Sequence, residues 1–177
     1  MSVKAMTRFA ALCTLLLFVP DDAVAQQAWH TITGLEDSFT VEFPQVPKYH
    51  TAPNATDAGT KFTMHIYWVE LDGDRTYMAG IAVYPKDPGA GNYRRVLQGG
   101  LDRIANRPSG TKYASIDWTQ HQGLPAFDAV GQTGSGREAR MYGVMKGSRA
   151  FTLTYVGPIG SSRSADVNRF IASLRLR

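Results

Sequence analysis

Residues 61–84, KFTMHIYWVELDGDRTYMAGIAVY, constrain this chain more than any other stretch. Two runs rich in Tyr, Val, Ile, Thr, Phe and Trp flank Leu71-Asp72-Gly73-Asp74. Asp-Gly is a strong two-residue turn signal, because both turn positions take positive φ. With Asp72 and Gly73 at the tip, Glu70 faces Arg75, Trp68 faces Tyr77, Ile66 faces Ala79, Met64 faces Ile81 and Phe62 faces Val83. Side chains alternate across a strand, so this spacing predicts that Phe62, Met64, Ile66 and Trp68 turn inward beside Tyr77, Ala79, Ile81 and Val83. Thr63, His65, Tyr67 and Val69 then take the other face, with Thr76, Met78, Gly80 and Ala82. A four-residue loop keeps the same pairs, whereas a one-residue slip inverts the faces. The hairpin is expected at the centre of a sheet.

The first 25 residues read as a leader rather than as fold. Lys4 and Arg8 give a positive start, Phe9 to Pro20 is apolar, and Ala23-Val24-Ala25 has the small-x-small pattern of a cleavage site. The apolar run is too short to span a bilayer comfortably. Cleavage after Ala25 predicts a periplasmic or secreted protein. It also removes Cys13, the single cysteine, so the mature chain carries no disulfide, thiol nucleophile or thiolate metal site. What remains, 26–177, has the size of one domain, enough to bury roughly 68–70% of its unfolded surface. The formal net charge of +4 is modest and dispersed. It suits solubility and mild attraction to anions, not nucleic acid.

Gln26 to Glu36 reads as a polar lead-in. Ser38 to Phe43 alternates as a strand, which Pro44 ends. Gln45 to Gly59, with Pro47, Pro53, Asn54 and Gly59, reads as loop. After the hairpin, Asn92 is placed to cap a helix over 93–107, with a stripe of Val96, Leu97, Leu101, Ile104 and Ala105. Gly99 and Gly100 weaken that helix and suggest close packing on a sheet. Strands are expected at 113–120, 127–133, 138–146 and 149–156. Gly147-Ser148 is a second two-residue tip, and it sets Val144 against Phe151 and Tyr142 against Leu153. The reverse face, with Met141, Gly143, Met145, Ala150, Thr152 and Thr154, has small residues that would let a helix lie close. Ser164 is placed to cap a last helix ending near Leu174, with Val167, Phe170, Ile171 and Leu174 as its stripe. Short links join antiparallel neighbours. The fold class is therefore α+β: an antiparallel sheet of about six to seven strands with two main helices packed on it.

The opening strand SFTVEFP, the central helix with LDRI, the Gly-Leu-Pro hairpin, the strand RAFTLTYVG and the closing FIASLRL together resemble bacterial secreted proteins of the PsbP-like class. That fold is shared with the photosystem II extrinsic subunit and with MOG-type Ran-binding proteins. The resemblance covers most of residues 36–176. It implies an antiparallel sheet between helices and a role in binding or assembly, generally without catalysis. It carries over no functional residue.

The chemistry-bearing residues give no reaction. His30, His50, His65 and His121 are scattered, and a zinc or copper site needs three or four convergent ligands. Met64, Met78, Met141 and Met145 occupy packing positions. Glu70, Asp72 and Asp74 crowd one tip in a loop too short to chelate calcium, with Arg75 expected to pair with Glu70. Gly134-Ser135-Gly136 lacks the context of a nucleophile elbow, and no dinucleotide or phosphate-loop fingerprint occurs. No catalytic residue, metal or cofactor is assigned. Two binding sets remain. His65, Tyr67 and Tyr84 would line a ligand groove if no helix covers their sheet face. Arg94, Arg95, Arg103 and Arg107, with Lys112, would form a basic stripe for an acidic partner or for peripheral contact with lipid headgroups. The sequence thus favours a non-catalytic periplasmic binding or assembly protein. The alternative is a small envelope hydrolase using carboxylate or histidine groups brought together only by folding.

Overall fold

The computed structural model describes residues 28–56 and 58–177. The leader read over residues 1–25 lies outside them. In chain order the elements are β1 (His30–Gly34), β2 (Phe39–Phe43), β3 (Lys48–Ala55), β4 (Lys61–Leu71), β5 (Arg75–Val83), α1 (Tyr93–Ala105), β6 (Lys112–His121), β7 (Leu124–Gln132), β8 (Glu138–Lys146), β9 (Arg149–Gly157), α2 (Ala165–Ala172) and β10 (Arg175–Leu176). Seven strands form one sheet in the order β3-β4-β5-β9-β8-β7-β6, and β1-β2-β10 form a smaller one. Every neighbouring pair in both sheets is antiparallel, as short links require.

Each face of the large sheet buries its own core. On one face Phe39, Val41 and Phe43 of β2 and Val167 and Phe170 of α2 pack over Ala79, Ile81, Val144, Leu153 and Tyr155. On the other, Leu97 and Leu101 of α1 pack over Phe127, Ala129, Met141, Met145 and Ala150. The expected α+β class is thus the observed one, with a sheet covered on both sides. The β8–β9 register is also as expected: Val144 pairs with Phe151 and Tyr142 with Leu153. Gly143 is needed on the α1 face, because a Cβ there would run into the Phe127 ring.

The principal hairpin departs from expectation by one residue. Leu71 pairs with Arg75, so the loop has three residues, Asp72-Gly73-Asp74. Gly73 and Asp74 both take positive φ, 76° and 60°. Aspartate tolerates this conformation better than most residues, and the extra loop residue moves β4 by one position against β5. Phe62 and Met64 therefore pack on the α1 side, while Tyr77, Ala79 and Ile81 bury on the α2 side with Val69. Glu70 is released from Arg75 and pairs with Lys48 instead, 3.3 Å away. Arg75 donates to the Asp72 carbonyl. The hairpin also lies off centre, since β9 is the middle strand.

Four further expectations are corrected. Residues 48–55 are a strand, not a loop: β3 is the sheet edge, where Pro53 sacrifices no ladder bond. The lead-in contains β1, which hydrogen-bonds along β2. Ala105 is exposed rather than part of the helix stripe, and Tyr93 is buried in its place. Gly99 and Gly100 are exposed, and among the described residues an added Cβ at either meets nothing within 4 Å, so close packing does not explain them. Among the described residues no helix is long and apolar enough to cross a membrane.

Candidate functional site

The register shift divides the first candidate set. His65 and Tyr67 stand on the α2 side of β4, with Tyr67 packed against that core. Tyr84, just beyond β5, packs on the α1 side. There its ring lies 5.0 Å from Phe62, centroid to centroid. Burial raises the Tyr84 phenol pKa, opposed by the charge of Arg103.

The arginine set is divided too. Arg94 lies over the Trp118 ring at 4.5 Å, at the β6 edge. A shallow hollow of about 560 Å³ opens there, lined by Arg94, Trp118, Gln120 and Pro125. Arg103 reaches toward the opposite edge, where its Nη2 donates to Asn54 Oδ1 of β3 at 3.2 Å. Arg95, Arg107 and Lys112 are exposed. A helix turns about 100° per residue, so Arg94 and Arg103 occupy opposite flanks of α1 and do not make one stripe.

What the fold does bring together is Tyr84 from one set and Arg103 from the other. Tyr84 lines a cleft of about 360 Å³ at the end of β3, β4 and β5, with Asn54, Lys61, Phe62, Thr63 and Val83 among others, and Arg103 reaches its wall through Asn54. Asn54 and Phe62 were not expected in a site. Asn54 lay in a stretch read as loop, and Phe62 was assigned to the core. The arrangement offers an aromatic wall, an amide held by a guanidinium, and the exposed ammonium of Lys61 at the rim. It can hold an apolar or planar body and attract negative charge.

A second polar group lies on the α2 face. The His65 Nδ1 is 2.8 Å from the Tyr49 hydroxyl, and the Tyr49 and Tyr67 rings are 4.6 Å apart. Burial lowers the His65 pKa, and the charge of Arg149 lowers it further. Burial also raises that of Tyr67, helped by Tyr49. Tyr49 lies in β3, which the sequence reads as loop; the strand is exposed from Lys48 to Thr51, so no alternation marks it there.

The ionisable groups at the β6–β8 end are committed to structure. Arg140 donates from Nε and Nη2 to the two Asp128 carboxylate oxygens at 2.9 and 2.7 Å. Its Nη1 donates to Asn168 Oδ1 at 2.7 Å and to the Ser162 carbonyl at 3.2 Å. This buried fork ties α2 and its lead-in loop to β7 and β8. His121 Nδ1 lies 3.1 Å from the Tyr142 hydroxyl. Among the described residues no group of three or more His, Cys, Asp or Glu is disposed to hold a metal. Of the four methionines read as packing residues, Met141 and Met145 are buried under α1 and Met64 packs against them.

No family model matches the chain, and no curated protein does. Solved structures do. The solution structure of cyanobacterial PsbP (CyanoP) from Synechocystis sp. PCC 6803 superposes with a TM-score of 0.59, over 88% of this chain and 96% of that one, at 9% identity. The fold is PsbP-like. A crystal structure of a Bacteroides thetaiotaomicron protein overlaps 85% of this chain and 49% of its own, at 13% identity. Its TM-score of 0.42 is too low to define a shared topology, so the assignment rests on CyanoP. At 9% identity that likeness carries the architecture and no residue role.

Proposed function

We propose that this chain is a non-catalytic binding or assembly protein of the bacterial envelope, and that its ligand enters the cleft between β3, β4 and β5. The single observation carrying this reading is the meeting of Tyr84, Phe62, Asn54 and Arg103 at one end of the sheet. An aromatic wall beside a positively charged amide-bound corner suits a small molecule with a flat or apolar body and an acidic group. The leader over residues 1–25 supports export, and intact-mass analysis of the exported protein should find Gln26 as the first residue.

The test is thermal melting against a small-molecule extract of the cell envelope. A ligand at a hundred times its Kd stabilises by about 2.7 kcal/mol, which is several degrees. Wild type should show such a shift, and Arg103→Gln and Tyr84→Ala should lose it. If the extract has no effect, or if both variants respond like wild type, the cleft is not the binding site. The hydrolase alternative has no support from the geometry at the β6–β8 end, where Asp128 is already engaged by Arg140.

A further inference from the structure

Arg149 begins β9 and projects from the α2 face of the sheet. It pairs with Val83, which in turn pairs with Thr63, one row from His65. Its side chain is 31% exposed, so most of the side chain as a whole is out of water. Its Nη2 lies 3.3 Å from Glu36 Oε2, and the Glu36 side chain is 89% exposed. Charge-assisted bonds of this type are normally 2.7–2.9 Å. The arginine is therefore well placed and shielded, while its carboxylate partner is loose and wet.

The segment carrying that carboxylate is unusual. Leu35, Glu36 and Asp37 take φ of 48°, 56° and 59°, three consecutive side-chain-bearing residues in the left-handed region. Such residues are uncommon and unfavourable there. The strand reaches this loop pressed against the sheet: a Cβ on Gly34 would sit 2.8 Å from the Tyr67 hydroxyl. The loop thus climbs over the Tyr67–His65 face and sets Glu36 against Arg149. Beyond His65 the same face continues to the Tyr49 ring, which is 50% exposed.

We propose that Arg149 and His65 form a receptor for the carboxylate of a small aromatic acid, and that Glu36 is the chain's own stand-in for that carboxylate. The acid group would take the fork of Arg149, and its ring would lie along His65 toward Tyr49. This site is on the opposite sheet face from the Tyr84–Arg103 wall and does not depend on it. No covalent step is involved.

The sign of one substitution makes the idea testable. Glu36→Gln removes the competing charge while keeping the loop's side-chain shape. Exposed ion pairs are worth about 0.2–1 kcal/mol. Calorimetric titration with benzoate should therefore give about 1.4- to five-fold tighter binding to Glu36→Gln than to wild type. Arg149→Met should bind at least about tenfold more weakly, and Arg149→Lys should fall between, since an ammonium lacks the fork. Acetate should bind more weakly than benzoate, and inorganic phosphate should not displace benzoate. The proposal fails if Glu36→Gln binds benzoate no better than wild type, or if Arg149→Lys, folded by its melting curve, binds as well as wild type. It fails equally if phosphate is the preferred anion.

Discussion

Replacing Gly99 and Gly100 by alanine should stabilise the protein. Both glycines lie inside α1, both are exposed, and an added Cβ at either position meets nothing within 4 Å. The folded state therefore loses nothing to overlap, and the substitution acts through helix propensity. Glycine in a helix interior costs about 0.8–1.0 kcal/mol relative to alanine, much of it backbone entropy in the unfolded chain. Neighbouring positions on a helix do not face each other, so the two effects should add, giving about 2 kcal/mol. For a domain of this size one kcal/mol is worth roughly 2–4 °C, and the double variant should melt roughly 4–8 °C higher. Urea denaturation should show the gain in the midpoint with an unchanged slope. If either alanine lowers the midpoint, the outer face of α1 is not open and the reasoning fails. The same data would refute the propensity argument if the double variant gained less than either single one.

Two further outcomes follow from the buried polar groups. Asp128→Ala strands the Arg140 guanidinium, whose side chain is 8% exposed, and should cost about 3–5 kcal/mol in denaturation experiments. Adding Arg140→Met to that variant should recover part of the loss, and a loss below about 1 kcal/mol for Asp128→Ala would contradict the fork's role in holding α2. On acidification, His121 should destabilise the fold. Its pKa is lowered first by burial and then by Arg175, and its buried Nε2 has no hydrogen-bond partner among the described residues. The unfolded chain thus takes up the proton near pH 6.5 while the folded one resists. The stabilising difference is present above that pH and declines as pH falls through the ordinary histidine range. His121→Gln should show a shallower decline than wild type between pH 7.5 and 5 in urea midpoints.

Where a strand was bounded by unambiguous turn chemistry, the amino-acid order was enough to place it. Gly147-Ser148 closes β8 on β9 in the one register that buries Val144, Phe151 and Leu153 together, and Gly147 supplies the positive φ of 59°. The two helix stripes were equally plain, because Leu97 and Leu101, and Val167, Phe170 and Ile171, recur at helical spacing. β3 was hidden because prolines and asparagine signal turns when nothing says that a strand is an edge. Pro53 is tolerated there only because its missing N–H would point away from the sheet. The link from Asn54 to Arg103 spans 49 residues of chain, a separation that no local pattern encodes.

The one-residue error at Asp72-Gly73-Asp74 had the larger consequence. In a two-residue turn, His65 and Tyr67 would share a face with Ala82, and with Tyr84 beyond it, as a single groove. With Asp74 also in the left-handed region, Thr63 pairs with Val83 and His65 with Ile81. That sends His65 toward Arg149 and the β1–β2 loop, and leaves Tyr84 to Phe62 and Arg103 on the far side. One aspartate with positive φ therefore decides whether His65 and Tyr84 share a sheet face. The two proposed sites lie on opposite faces of the sheet, so the effects of substitutions at Glu36 and at Arg103 should add.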